Sequence, residues 1–202
     1  MDFPVISWGA TLLLFALTLS LLLTRDWRWI LALLAAQYIA VFWLTQIHWT
    51  VSMAAVKLVT GWMSATVLGI TRSTLDSKPD SAPDDNSWPQ GRFFRILTAA
   101  LIFLLVASAA PSIPKLLPGI GLPEVTGSLI LMTMGLLMLG LTTQPLRVVI
   151  GLLTLLAGFE ILYAAVENAT LVAALLAVIN LGLALVGSYL LLAGTEDTGG
   201  RQ

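Results

Sequence analysis

The chain has no cysteine, one histidine and few charges, and each shortage removes a class of explanation. Without cysteine there can be no disulfide, no thiolate metal site and no thiol nucleophile. His48 alone cannot build a histidine metal site. Charged residues are 10% of the 202 positions, against about a quarter in an ordinary soluble domain. A net charge of -1 offers no basic surface, so nucleic acid is not an expected partner. Also missing are a Gly-rich phosphate loop, an H-E-x-x-H pair, a G-x-S-x-G elbow and any clustered set of metal ligands. Neither a cofactor nor autonomous catalysis is expected.

What the chain has instead is apolar length. It is 58% hydrophobic, with a mean hydropathy of +0.93. Runs close to the roughly 20 residues that cross a bilayer core recur from end to end. Strict alternation of polar and apolar positions is absent, which excludes a transmembrane barrel. The expected fold is therefore all-α, a polytopic helical membrane protein. Spans are read over 5–23, 29–49, 51–70, 93–110, 127–142, 146–166 and 171–193. The start, Met1-Asp2-Phe3-Pro4, lacks a positive n-region, and the first run reads as a retained span, not a cleaved leader.

The third span carries Lys57, so an interfacial helix and six spans is the competing count. Loop charge separates the two. With seven spans, Arg25, Arg28, Arg72, Lys78, Arg92, Arg95, Arg147 and Arg201 lie on one side and Lys115 alone on the other. If the third span lies flat, the split falls to seven against three. The cleaner asymmetry gives seven spans, an outside N-terminus and a cytoplasmic C-terminus. The organisation expected is a three-span unit over 1–71, a disordered polar cytoplasmic linker over 72–91, a four-span unit over 92–193 and a cytoplasmic tail over 194–202. The proline-rich stretch 111–123 reads as an irregular outer loop.

Few polar side chains sit inside the apolar runs, and those few are the candidates for chemistry. Lys57 shares a helical face with Ala54, Thr60, Gly61, Ser64 and Ala65, while Val59, Trp62, Met63 and Ile70 point away. Gly61, Ala65 and Gly69, four apart, form a small-residue stripe that lets helices approach closely. Lys57 and Glu160 each lie about six residues, or about 9 Å, from the same end of their spans. Matched depth makes an ion pair the economical arrangement. The alternatives are a lysine snorkelling to the headgroups and a glutamic acid carried neutral, in a structural or a proton-relay role. Gln37 and Asn180 fall near mid-membrane, where interhelical hydrogen bonding is their default use. His48 reads as an interfacial anchor.

Residues 127–193 resemble the three-helix K subunit of bacterial complex I, the C subunit of Mrp-type antiporters and the membrane E subunit of group 4 hydrogenases. The resemblance rests on the turn Thr142-Thr143-Gln144-Pro145-Leu146-Arg147 leading into Ile150-Gly151-Leu152, on Gly182-Leu183-Ala184-Leu185, and on the order of spans. It implies an accessory membrane subunit of a respiratory or cation/proton-translocating complex, with other membrane subunits and the bilayer as partners. At most it implies a non-catalytic part of such an assembly. The glutamates of that family fall here on Leu153 and Val178. The resemblance therefore implies scaffolding rather than proton conduction, unless Glu160 substitutes from another turn. A stand-alone transporter or channel using Lys57, Glu160, Gln37 and Asn180 is the first alternative. A membrane scaffold without transport is the second. Short loops and the lack of cysteine suit a bacterial inner membrane.

Overall fold

The computed structural model describes residues 3–76, 91–115, 119–167 and 169–199. Among them are seven long helices: α1 (Phe3–Leu23), α2 (Trp27–Thr45), α3 (Val51–Asp76), α4 (Arg92–Ala109), α5 (Leu122–Leu141), α6 (Pro145–Val166) and α7 (Thr170–Gly199). All seven are long and apolar enough to cross a membrane, and the described residues contain no strand. This is a multi-pass helical membrane protein. In lipid the backbone must satisfy its own N–H and C=O groups, and a continuous helix does so.

Local chemistry marks the ends. Asp26 caps α2 by accepting the Arg28 N–H at 3.0 Å. Helices α5 and α6 open on Pro123 and Pro145, where the missing N–H costs nothing. Several boundaries differ from those read in the sequence. α2 stops at Thr45, and His48 and Trp49 belong to the turn before α3. α3 runs on to Asp76, so the stretch expected as linker begins with helix; the remainder, 77–90, lies outside the described residues. The loop after α4 opens with a 3-10 helix, Ala110–Lys115, and α5 begins five residues earlier than residue 127. The expected polar tail is helical as far as Gly199.

The helices form two rows. α1, α2 and α3 lie side by side, and α5, α6 and α7 pack on them helix for helix, with α4 closing the α1–α5 edge. The most extensive interface joins α5 to α6. There the backbones nearly touch: a Cβ on Gly135 would stand 2.7 Å from Leu155 N, and one on Gly158 2.7 Å from Ser128 O. Ser128 Oγ also donates to Gly158 O at 2.7 Å. Between the rows one apolar core runs through Leu14, Leu34, Val41, Leu131, Ile150 and Leu153. The three-span and four-span halves thus share a single interior. α3 packs along α2 and α7 as a member of this bundle, which removes the flat, interfacial alternative.

Candidate functional site

The polar residues of the spans converge where α3, α6, α7 and α2 meet. Lys57 comes from the inward face of α3 together with Ala54, Thr60 and Ser64, all buried; Val59, Trp62, Met63 and Ile70 face outward. Lys57 Nζ donates to Glu160 Oε1, and the two side chains are 1% and 0% exposed. The same Oε1 accepts from Asn180 Nδ2 at 3.0 Å. Asn180 Oδ1 in turn accepts from the Tyr38 hydroxyl at 3.1 Å. Ser64 Oγ donates to the Asn180 carbonyl at 3.3 Å. One amide thereby links three helices, and only this orientation of Asn180 satisfies both neighbours.

Lys57 and Glu160 lie about 9 Å from the same end of their helices, as helix rise requires of partners on adjacent spans. Pairing removes the large cost of two isolated charges in low dielectric. Glu160 Oε2 has no hydrogen-bond partner among the described residues.

Gln37 behaves differently. It is fully buried on α2, yet among the described residues neither its amide oxygen nor its nitrogen finds a partner, so the interhelical bond expected of it is not formed there. Its neighbour Tyr38 makes that bond instead. Sequence reasoning passed over Tyr38, although a tyrosine in mid-span signals a hydroxyl in need of a partner.

The small-residue stripe of α3 is occupied by this chain. The Tyr38 ring lies directly over Gly61, and Leu31 stands 3.4 Å from where a Gly69 Cβ would be. Ala65 and Gly69 border a shallow groove between α2 and α3. Close approach here seats α2, so Gly61 is not a surface left for another subunit.

At the end of the bundle nearest the ion pair, Trp49 is buried: its Nε1 donates to Glu167 O at 3.1 Å, and its ring meets Tyr163 edge-on. His48 is half-buried, with Nε2 unpartnered. Glu124, which sequence reasoning also passed over, is buried in the first turn of α5, where a carboxylate complements the helix dipole. Among the described residues no group of three or more His, Cys, Asp or Glu is placed to hold a metal. The arrangement is a sealed, nearly complete polar network that ties four helices together. Comparison with protein-family models, with curated proteins and with solved structures finds no match for this chain.

Proposed function

We propose that this protein is an accessory integral-membrane subunit of a multisubunit respiratory or cation/proton-translocating complex of a bacterial inner membrane, with a mainly scaffolding role. The observation that carries the reading is the sealed Lys57–Glu160–Asn180 cluster. Its charges neutralise each other inside the bundle, as a structural tie does. The resemblance of 127–193 to complex I-type and antiporter subunits supplies the kind of assembly. The arginine-bearing ends of the helices then face the cytoplasm, with the N-terminus outside. Partners meet the apolar outer surfaces, of which α4 is the broadest, with only 17% of its span buried. The test is affinity purification of the tagged protein from its host in mild detergent, with partners identified by mass spectrometry. Stoichiometric recovery of large antiporter-like or quinone-reducing subunits is expected; recovery of the protein alone sinks the reading.

A stand-alone transporter or channel is the second reading, favoured by the unpartnered Glu160 Oε2 and Gln37 amide. Buried polar atoms of this kind are what an ion or proton path leaves open. Ion flux in liposomes that vanishes in Glu160→Gln would establish it.

A further inference from the structure

At the arginine-bearing end, a cavity of about 330 Å³ opens between the end of α1, the starts of α2 and α6, and the last turns of α3 and α7. Three arginines, Arg25, Arg72 and Arg147, line it, and among the described residues Asp26 is the one acid that does. That carboxylate already accepts the Arg28 N–H. Arg147 is built into the wall: it is 3% exposed, donates from Nη2 to Thr24 O at 3.0 Å and from Nε to Gln144 Oε1 at 3.2 Å. Arg72 is half-buried, with its Nε unpartnered. Two helix N-termini, those of α2 and α6, also direct their positive dipole ends here.

Three like charges around one space repel each other, and an anion in that space relieves the repulsion. Guanidinium groups suit phosphate oxygens in particular. Trp27 lines the same cavity and carries the Arg28 guanidinium 5.3 Å from its ring centre, a pairing that belongs at headgroup depth. Apart from Gln144, the rest of the lining is apolar, contributed largely by α6 and α7. Basic and apolar residues in one lining match a phosphate joined to glycerol and acyl chains.

We propose that this cavity binds a phosphate-bearing anion, and that the headgroup of an anionic phospholipid is the occupant its mixed basic and apolar lining fits. The site is separate from the Lys57–Glu160 cluster and independent of any partner complex.

The test uses the full chain in detergent, with phosphatidic acid, phosphatidylcholine and inorganic phosphate as probes, read by native mass spectrometry and by the shift in thermal unfolding. Phosphatidic acid is expected to bind at least about tenfold tighter than phosphatidylcholine. Each arginine near a membrane surface contributes about fivefold, so Arg25→Gln with Arg72→Gln should weaken phosphatidic acid about twenty-fivefold. The paired lysine variants, R25K with R72K, should keep most of the binding. Lys115→Gln, at the opposite end, should change nothing. A shift by inorganic phosphate as large as that by phosphatidic acid also supports the site and assigns it to a soluble anion. Equal binding of the two lipids with no response to phosphate overturns the proposal, as does unchanged binding in a folded R25Q/R72Q protein. Should that variant fail to elute as a single species, the lipid preference of the wild-type protein decides alone.

Discussion

Toward α5, helix α6 presents Gly151 and Gly158; toward α3 and α7 it presents Glu160. Both faces hold the bundle together in a medium where burying apolar surface gives no advantage over lipid. The glycine face works by proximity, since removing side chains brings backbones and their dispersion contacts together. The glutamate face works by charge, and its value depends on every partner being present. The first tolerates no added atoms; the second tolerates no single deletion.

The largest predicted effect breaks the charged face. Lys57→Met leaves Glu160 buried without its counter-ion and should cost about 3–5 kcal/mol of stability. The double variant K57M/E160M should recover part of that loss, because an apolar pair has no charge to desolvate, and stay about 1–3 kcal/mol below wild type through the Asn180 Nδ2 donor left without its acceptor. Reversible unfolding in mixed anionic and non-ionic micelles measures both. A single variant no worse than the double would mean that the pair is not what α3 and α6 share.

Next comes the glycine face. Gly135→Ala and Gly158→Ala each drive a methyl against facing backbone and should cost about 1–3 kcal/mol in the same assay. Gly140→Ala and Gly182→Ala meet nothing within 4 Å. They should be neutral or slightly stabilising, alanine being the better helix former. Equal effects at all four positions would remove the contrast between packed and open glycines.

A smaller effect tests the outer members of the polar cluster. Tyr38→Phe deletes one interhelical hydrogen bond and should cost about 0.6 kcal/mol, the usual size of such a bond in a membrane. A double-mutant cycle with Asn180→Ala should show that the two losses are not additive. The smallest effect is expected on α4. Leu101 is 67% exposed, and Leu101→Ala should shift unfolding by no more than about 0.5 kcal/mol. A much larger loss would mean that α4 is covered by a neighbouring chain in the detergent particle.

Much of the architecture was readable from composition. A run such as 146–166 can hardly be anything but a span, and the structure makes it α6 with one residue added. The Lys57–Glu160 pair was readable too, because the cost of an isolated charge in lipid and the equal depth of the two residues leave few arrangements. Other features were not. Gln37 and Tyr38 are adjacent, equally deep and both polar, yet only Tyr38 reaches Asn180. The 100° between neighbouring positions on a helix decides which one faces α7, and that angle has no meaning until α2 is docked. The stripe of Gly61 and Gly69 announced a close approach but not the partner, which proved to be α2 of the same chain. The ends of α3 and α7 were read short because polar residues were taken to stop them, whereas helices can extend beyond the hydrocarbon layer into water.

Sequence alone was enough for the solvent and the number of spans, because these follow from hydropathy and a rise of about 1.5 Å per residue. It was not enough for the neighbours. The pairing of α1 with α5, α2 with α6 and α3 with α7 came only from the folded bundle. So did the convergence of Arg25, Arg72 and Arg147 on one cavity. Apolar helices carry little information about which of their faces meet. Partner choice in lipid is set by small differences in shape and by a few polar contacts, and those differences exist only once the helices are packed.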